Sequence, residues 1–401
     1  MAIDCGATSL PIRRKQLKDG MEHLRGFVTV DQDTASGSAL PVLSADGEDA
    51  YGVPASLEPI RKPKTNSAEN VEKRSDPFQF GSRYLEDGDD IFAYNAWDHV
   101  QVDDAYKAFA EQCYQKQKEA PVKDFDRKRF NEHPERQWDK FYSHNANNFF
   151  KNRKWLAQEF PVLKDVTRED APATVLLEVG AGAGNTAFPI LKLNKNPRLT
   201  IHACDFSKTA IEVIKRHEEY SNPDNVGRLE ASVWDAAAEP AANETCSLPD
   251  GVEAGTVDVL LMVFIFSALA PEQWARAVSN AWHALKPGGL VLFRDYGRGD
   301  LAQVRFKKER WMGENFYVRG DGTRVYFFDE DELRQTWGSA GFEVASFGVD
   351  RRMLVNRQRR LKMYRCWMQA VFKKPVSEQR QQNGDHDRVD EEATVTSAST
   401  I

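Results

Sequence analysis

Residues 176–186 read Leu-Leu-Glu-Val-Gly-Ala-Gly-Ala-Gly-Asn-Thr, and this stretch decides the fold. It begins in an apolar strand over 174–179, continues through three glycines at alternate positions, and leads into a predicted helix over 185–193. Alternate glycines let the backbone approach a ligand closely, because a Cβ atom at those positions would take up the same space. The pattern therefore predicts a strand–turn–helix unit whose turn lies against a small ligand.

A second apolar strand, over 199–204, ends at Asp205, which lies 27 residues after Glu178. In nucleotide-binding βαβ units an acid at this place accepts hydrogen bonds from ribose hydroxyls. The third glycine comes two positions after the second, whereas the dinucleotide fingerprint has it three positions after. The pattern resembles the first motif of class I S-adenosylmethionine-dependent methyltransferases, in which the turn accommodates a methionine moiety. A tight strand–helix turn without a ligand is the alternative interpretation.

Strands and helices alternate after the glycine turn, which predicts a parallel sheet covered on both faces. The predicted elements are strand 199–204, helix 207–219, strand 228–234, strand 257–266, helix 271–285 and strand 289–294. An irregular basic stretch over 295–325 follows, then a helix over 330–339 and two apolar segments, 342–349 and 361–372. The resemblance implies an α/β, Rossmann-like class I methyltransferase fold with a seven-stranded, mostly parallel sheet and an antiparallel last strand.

The predicted organisation has four parts, in which a helical extension precedes the catalytic domain. They are a tail over 1–75, an N-terminal helical extension over 76–165, a methyltransferase domain over 166–375 with the basic insert 295–325, and an acidic tail over 376–401. Both tails are rich in polar and charged residues with little apolar periodicity, so they are expected to be disordered.

Charge and cysteine content narrow the class of protein. The chain has 401 residues and a formal net charge of −7, yet residues 351–374 contain nine Lys and Arg and no acid. Five scattered cysteines without a Cys-x-x-Cys pair argue against a structural zinc site and a disulfide scaffold, and they suit a reducing compartment. The sequence contains no run of 18 apolar residues, so no membrane span is predicted. Arg13 and Arg14 are typical of a transit peptide but acids interrupt them, so a cytoplasmic protein is expected, with mitochondrial import as the alternative.

Candidate cofactor residues recur at successive strand ends, where ligands bind in open α/β sheets. Asp205 and Ser207 follow the second strand, Asp235 and Ala236 follow the third, and Val263 lies at the end of the fourth. Each acid alone is more simply a solvated loop residue. Their recurrence predicts a nucleoside site, with Asp205 at the ribose, Asp235 at the adenine amino group and Val263 beside the adenine or the reacting centre.

A second constellation, over 137–160, reads Gln-Trp-Asp-Lys-Phe-Tyr-Ser-His-Asn-Ala-Asn-Asn-Phe-Phe-Lys-Asn-Arg-Lys-Trp-Leu-Ala-Gln-Glu-Phe. It indicates either an amphipathic lid helix or a platform on which aromatics stack on a base and cations hold phosphates. Trp-Asp-x-Phe-Tyr and Asn-x-Phe-Phe-Lys-x-Arg-x-Trp-Leu resemble the tRNA N3-methylcytidine methyltransferases. So do Phe-Arg-Asp-Tyr-Gly-Arg at 293–298, the run over 305–328 and Asp-Arg-Arg-Met-Leu-Val-Asn-Arg at 350–357.

The resemblance extends to the subgroup that acts on threonine tRNAs, through Phe-Gly-Ser-Arg-Tyr-Leu at 80–85 and Asn-Ala-Trp-Asp at 95–98. It implies methylation of cytidine 32 of the anticodon loop. Threonine tRNAs are the implied substrates, serine tRNAs are further candidates, and a helper protein such as a tRNA synthetase is a candidate partner. Asn152 and Lys154 depart from the Asp and His that relatives often carry, which puts the substrate range in doubt.

The resemblance also implies roles for individual residues. Trp138 and Tyr142 would close over S-adenosylmethionine, while the sheet side would bind it through Gly180, Gly182, Asp205, Ser207, Asp235, Ala236 and Val263. Phe150, Lys151 and Arg153 would engage the tRNA near its target base. Five further cations would hold the tRNA backbone, with a solvated sheet edge as the alternative: Arg305, Lys307, Lys308, Arg351 and Arg352.

Cytosine needs no general base to become nucleophilic, because neutral cytosine has a free lone pair at N3. The enzyme has to unpair the base, align N3 with the methyl group and exclude water. Asp295, just past the fifth strand, is the candidate that would stabilise the cationic product, and a loop cap bonded to backbone is its alternative role. Rival functions are a methyltransferase of the same fold with another RNA, protein or small-molecule acceptor, and a non-catalytic RNA-binding subunit. A dehydrogenase is the weakest rival, because the glycine spacing is wrong.

Overall fold

The structure is a computed structural model that describes residues 83–358 and 360–376. Several sequence predictions fall outside these residues. They are the tail over 1–75, the candidate transit signal within it, the first three residues of the 80–85 motif, and the acidic tail beyond residue 376.

A mixed eight-stranded sheet forms the centre of the fold, in the order β1-β10-β11-β6-β5-β2-β3-β4. Its strands are β1 (Ala96–Asp98), β2 (Thr174–Val179), β3 (Leu199–Asp205), β4 (Arg228–Val233), β5 (Val257–Val263), β6 (Leu285–Tyr296), β10 (Glu343–Asn356) and β11 (Leu361–Lys373). The pairs from β6 to β4 are parallel, whereas β11 is antiparallel to both β6 and β10. The predicted α/β methyltransferase fold is confirmed, and β1 adds a short edge strand to the seven that were predicted.

Ten α-helices lie in the described residues. They are α1 (Asp104–Lys118), α2 (Asp124–Glu132), α3 (Pro134–Asn145), α4 (Leu156–Glu159), α5 (Val162–Val166), α6 (Ala187–Leu193), α7 (Lys208–Lys215), α8 (Pro271–Ala284), α9 (Leu301–Val304) and α10 (Glu330–Ser339). None of them is both long and apolar enough to cross a bilayer.

The central strands form where the sequence is almost continuously apolar, since helices cover both faces of a parallel sheet. In β5 every residue but Asp258 is buried, and β2 is buried at every position but Val175. The helix α8 begins with Pro271, whose missing N–H is unneeded in the first turn. At its other end Lys374 Nζ donates to the carbonyls of Trp282 and Leu285, each at 2.7 Å, which satisfies two of the free carbonyl groups there.

The prediction of an irregular stretch over 295–325 is wrong. The segment contains α9 and a separate antiparallel sheet of β7 (Trp311–Gly313), β8 (Phe316–Val318) and β9 (Arg324–Tyr326). Every residue of β8 and β9 is buried, so these three-residue strands carry no alternation that a sequence pattern could show. Tyr317 stacks on Phe306 with the ring centroids 4.7 Å apart, which anchors this small sheet to the segment that follows α9.

The part of the chain before β2 packs onto the insert over 295–325. Gln117, at the end of α1, donates from Nε2 to the carbonyls of Gln303, Val304 and Phe306 at 3.0 to 3.2 Å. Trp97, in β1, is fully buried in a separate apolar cluster that joins α1 to the β10–β11 hairpin. The part of the chain before β2 therefore forms one side of the functional site described below.

Candidate active site

A cavity of about 400 Å³ opens at the carboxyl ends of the parallel strands, within the usual size range of small-molecule sites. The glycine turn after β2 and Asp205, the last residue of β3, form its floor. The helix α3 and the segment 149–155 cover one side, and the turn 319–323 of the insert and Trp367, in the middle of β11, close the other. The site therefore brings together parts of the chain that lie far apart in the sequence.

The glycine turn has a backbone that only glycine adopts without strain. Gly180 and Gly182 have φ angles of +68° and +58°. A Cβ on Gly180 would lie 2.7 Å from the Ile265 side chain, and one on Gly182 would overlap Tyr142 Oη. The turn is therefore shaped both by its own backbone and by side chains that rest directly on it.

Asp205 is held ready for a ligand by backbone groups. Its Oδ2 accepts a hydrogen bond from the N–H of Gly182 and its Oδ1 accepts one from the N–H of Ser207, both at 2.9 Å. Burial raises the pKa of Asp205 to about 6, although both hydrogen bonds act in the opposite direction. A carboxylate has about four acceptor positions, so two stay available for the two hydroxyls of a ribose.

The helix α3 is fixed over this floor by Asp139, which sequence reasoning missed. Asp139 Oδ1 accepts from Ser207 Oγ at 2.7 Å and from the N–H of Thr209 at 3.0 Å, at the start of α7. This contact sets Trp138 and Tyr142, whose rings stack 6.0 Å apart, along the cavity wall. The available signal was the Asp within the Trp-Asp-x-Phe-Tyr motif.

The predicted cofactor residues fall into two groups. Trp138, Tyr142, Gly180, Gly182 and Asp205 line the cavity.

The other four, Ser207, Asp235, Ala236 and Val263, do not line the cavity. The Ser207 hydroxyl is committed to Asp139 and to the N–H of Ala210, and Val263 is buried at the end of β5. Asp235 accepts from the N–H of Ala237, while the carbonyl of Ala236 accepts from the amide of Asn280 at 2.9 Å. The buried side chain of Asn280, in α8, therefore holds the loop after β4 in place.

Arg153, which the resemblance implies is near the target base, lines the cavity beside the glycine turn. Its guanidinium is buried beside the glycine turn, where Nη1 donates to Thr186 Oγ1 at 3.0 Å and lies 3.9 Å from Glu178 Oε1. Burial raises the pKa of Glu178 to about 7, and the nearby Arg153 opposes that rise. Arg153 therefore lines the cavity and also balances a buried acid beneath the glycine turn.

The segment that carries Phe150 and Lys151 is tied to the glycine turn. The side chain of Asn185 donates to the carbonyl of Phe150 at 3.0 Å and to Asn152 Oδ1 at 3.2 Å. Phe150 is 36% exposed and Lys151 is exposed, and both line the cavity mouth. Asn152, one of the two departures from the family pattern, therefore acts here as a contact to the glycine turn.

The predicted tRNA-backbone cations are not a uniform basic patch. Arg352 is only 17% exposed at its side chain and pairs with Asp98 at 3.2 Å, Asp350 at 3.1 Å and Glu159 at 3.7 Å. The charge of Arg352 is thus compensated, which corrects its assignment to phosphate binding. The remaining four do not line the cavity: Lys307, Lys308 and Arg351 are exposed, and Arg305 is half-buried.

Asp295 is fully buried and does not line the cavity. Its Oδ2 accepts from the N–H of Ser267 at 2.9 Å and its Oδ1 accepts from the N–H of Tyr296 at 2.8 Å. Burial raises the pKa of Asp295 to about 6. These contacts correct the assignment of Asp295 to the cationic product and match its alternative role as a cap bonded to backbone, which fixes the loop after β5.

Sequence reasoning also missed Arg294 and Trp367, which line the cavity beside Trp155. The Arg294 guanidinium lies 5.1 Å from the ring of Trp155 and 5.1 Å from that of Trp367, and it pairs with Asp350 at 2.6 Å. Trp367 faces the site because antiparallel β11 places it directly opposite Tyr296. The strand-end rule concerns parallel strands, so it gave no signal for this residue.

Comparison with known proteins adds the family. A family model described as "Methyltransferase domain" matches residues 177–291. The chain is 52% identical over 299 residues to the Saccharomyces cerevisiae "tRNA(Thr) (cytosine(32)-N(3))-methyltransferase", covering 75% of this chain and 46% of that protein. It is 49% identical over 295 residues to the Schizosaccharomyces pombe "tRNA N(3)-methylcytidine methyltransferase trm140", covering 74% of this chain and 92% of that protein. It is 40% identical over 320 residues to the Drosophila melanogaster "tRNA N(3)-methylcytidine methyltransferase Mettl2", covering 79% and 95%.

Proposed function

The chain belongs to the tRNA N(3)-methylcytidine methyltransferase family, and we propose that it transfers a methyl group from S-adenosylmethionine to N3 of cytidine 32 in threonine tRNA. The observation that carries the proposal is the composition of the cavity. A glycine turn and a carboxylate suited to a nucleoside lie on one side, and an exposed aromatic–lysine pair, Phe150 and Lys151, lies at the mouth.

The residues at the floor of the cavity fit S-adenosylmethionine. The free acceptor positions of Asp205 suit the two ribose hydroxyls, and the glycine turn leaves room for the methionine part. Trp138 and Tyr142 would cover the bound molecule from the α3 side. S-adenosylmethionine, when bound, supplies an electrophilic methyl group.

The protein's contribution to the reaction is orientation and the exclusion of water. Cytosine N3 already carries a lone pair, so no side chain has to remove a proton before transfer. The protein has to hold the extruded base with N3 in line with the methyl group, in a cavity closed by α3 and by the turn 319–323. This role fits a cavity that is rich in aromatic side chains.

The tRNA substrate is proposed from the relatives and from the cavity mouth. The yeast relative is named for threonine tRNA and cytosine 32, and serine tRNAs are further candidates. Phe150 is placed to stack on a base and Lys151 to meet a phosphate. A helper protein such as a tRNA synthetase is a candidate partner, and the cytoplasm is the proposed compartment because the scattered cysteines suit a reducing environment.

The test compares two transcripts of threonine tRNA that differ only in having cytidine or uridine at position 32. Purified protein is incubated with methyl-labelled S-adenosylmethionine and each transcript, with and without cell extract. We expect label in the cytidine transcript alone, because N3 of neutral uridine carries a proton and has no free lone pair. Equal labelling of the two transcripts would show that the acceptor is another nucleotide, and labelling of protein in the extract alone would favour a protein acceptor.

A further inference from the structure

The turn of the insert, residues 319–323, places one donor and one acceptor over the half of the cavity that lies away from Asp205. Arg319 lies with its guanidinium 5.6 Å from the ring centroid of Tyr296, at the end of β6. The Tyr296 ring is in turn 5.0 Å from that of Phe264, which follows β5. In the sheet order β6-β5-β2-β3, this side is separated from Asp205 by the glycine turn after β2.

Hydrogen bonds within the turn hold it in one conformation, which suits an element that recognises a ligand. The N–H of Arg319 donates to the carbonyl of Thr323 at 2.8 Å, and the N–H of Gly322 donates to the carbonyl of Arg319 at 3.0 Å. Asp321 Oδ1 accepts from both the N–H and the Oγ1 of Thr323, at 2.9 and 2.7 Å. These bonds fix the orientation of the Asp321 carboxyl group through Oδ1 and do not involve Oδ2.

Asp321 differs from the other acids that line the cavity in the described chain. Both oxygens of Asp205 already accept from backbone N–H groups. Glu159 is neutralised by Arg352 at 3.7 Å and Arg294 at 4.0 Å. Within the described residues Asp321 has no ion pair, and its Oδ2 has no hydrogen-bond partner. Among the acids that line the cavity in the described chain, Asp321 is therefore the one with an oxygen, Oδ2, that makes no hydrogen bond or ion pair.

Arg319 differs from the other arginines of the cavity in the same way. Arg153, Arg294 and Arg352 each lie within 4.0 Å of a carboxylate. Arg319 uses Nη1 for contacts to the Thr323 hydroxyl and the Arg324 carbonyl, and within the described residues it has no carboxylate partner. A guanidinium has five N–H donors, so most of those of Arg319 are available.

We propose that Arg319 and Asp321 recognise the Watson–Crick edge of the target cytosine. Asp321 Oδ2 accepts a hydrogen bond from the exocyclic N4 amine, and Arg319 donates one to O2, so that N3 lies between them and faces the methyl group. A carboxylate that accepts from N4 selects cytosine against uracil, which presents an oxygen there. This inference rests on the proposed function and names the residues that give it base specificity.

The same contact favours the reaction electrostatically. The N3 lone pair forms a bond to the methyl carbon as the carbon–sulfur bond breaks, and the sulfur keeps the electron pair. No proton moves, and the positive charge passes from sulfur to the base. A carboxylate beside N4 stabilises that charge as it develops on the base.

The test uses an acceptor that lacks the amine, a threonine tRNA with 2-pyrimidinone in place of cytosine at position 32. We measure kcat/KM for this tRNA and for the cytidine tRNA with wild-type protein, Asp321→Asn and the control Glu314→Gln. Asn keeps the acceptor that Thr323 needs but replaces Oδ2 by an amide nitrogen. Glu314 is an exposed acid of the same insert, paired with Lys118 at 2.7 Å, and does not line the cavity.

We expect the wild-type preference for cytidine to shrink about tenfold or more in Asp321→Asn and to stay unchanged in Glu314→Gln, since a hydrogen bond to a charged group is worth about that factor. The lower nucleophilicity of 2-pyrimidinone is common to all three proteins and cancels. Arg319→Gln should lower kcat/KM on both tRNAs by a similar factor, because both retain O2. Unchanged affinity for S-adenosylhomocysteine would show that Asp321→Asn is folded.

An Asp321→Asn protein that keeps the full wild-type preference would overturn the inference and leave the proposed function intact. A wild-type protein that methylates neither tRNA at position 32, with cofactor binding confirmed and cell extract added, would overturn both.

Discussion

Replacing Gly182 by alanine tests whether the lid helix α3 rests directly on the glycine turn. Gly182 has a φ of +58°, so alanine there is strained by about 1–2 kcal/mol. Its Cβ would also overlap Tyr142 Oη, which forces Tyr142 and Trp138 away from the cavity. Aromatic contacts are worth about 0.5–1.5 kcal/mol each. Loss of two such contacts to the cofactor weakens binding roughly 5- to 150-fold.

The assay is calorimetric binding of S-adenosylhomocysteine, together with urea unfolding. Gly255→Ala is the matched control, because Gly255 has a φ of +72° and no atom lies within 4 Å of the position that an alanine Cβ would take there. It should lose similar stability and keep full affinity. Tyr142→Phe should partly rescue the affinity of Gly182→Ala, since without the hydroxyl the closest atom of that side chain to the Cβ is no longer the overlapping Oη but a ring carbon 3.2 Å away. Wild-type affinity in Gly182→Ala, or no rescue by Tyr142→Phe, would refute the direct contact.

Three further predictions concern other parts of the site and its support. Asp139→Ala removes the acceptor that two donors at the start of α7 share, so affinity for S-adenosylhomocysteine should fall about tenfold in the same calorimetric assay; unchanged affinity would show that α3 is held by other contacts. Arg365→Met leaves the carboxylate of Asp300, fully buried and 2.8 Å from Arg365 Nε, without its cation, so the free energy of unfolding in urea should drop by about 3–5 kcal/mol; a drop below about 1 kcal/mol would contradict this. Burial raises the pKa of Asp295 to about 6, above its value of about 3.9 in an unfolded chain. The contribution of Asp295 to the free energy of unfolding therefore falls as the pH rises from about 4 to about 6, and it is constant above that. Asp295→Asn should therefore lose less stability than the wild type over this pH range, and an identical pH dependence would disprove the effect.

The sheet could be predicted because its signals are local. Each central strand is a short apolar run that ends in a glycine, an acid or a turn, and such runs are recognisable wherever both faces of a strand are buried. The floor of the site follows from the same signals, since Gly180, Gly182 and Asp205 stand at strand ends and line the cavity. The position of these residues depends on the sheet topology, which can be read from the alternation of strands and helices.

The opposite side of the cavity could not be predicted in this way, because its residues meet only through long-range packing. Trp367 reaches the site through an antiparallel register, and Arg319 and Asp321 stand on a turn between strands of three residues. Such strands are buried at every position and carry no period-2 pattern. The same residues are those on which base specificity is proposed to depend.

The basic segment shows why a count of charges along the chain is a poor guide to a surface. Residues 351–374 contain no acid, yet Arg352 is compensated by Asp98 and Glu159, and Arg365 by Asp300. Each of these acids lies at least 65 residues away in sequence from the arginine that it compensates. The positive charges of Arg352 and Arg365 are therefore compensated within the fold, and only exposed members of the segment such as Arg351 present their charge to solvent.

The central claim, methylation of cytidine 32, is tested most directly by a nucleoside and fragment mass-spectrometric analysis of threonine tRNA after incubation with the purified protein and S-adenosylmethionine. The account predicts 3-methylcytidine in the digest and a fragment mass that assigns it to position 32. A protein that binds S-adenosylmethionine yet leaves cytidine 32 unmodified, even when cell extract supplies any helper protein or prior modification, would contradict it.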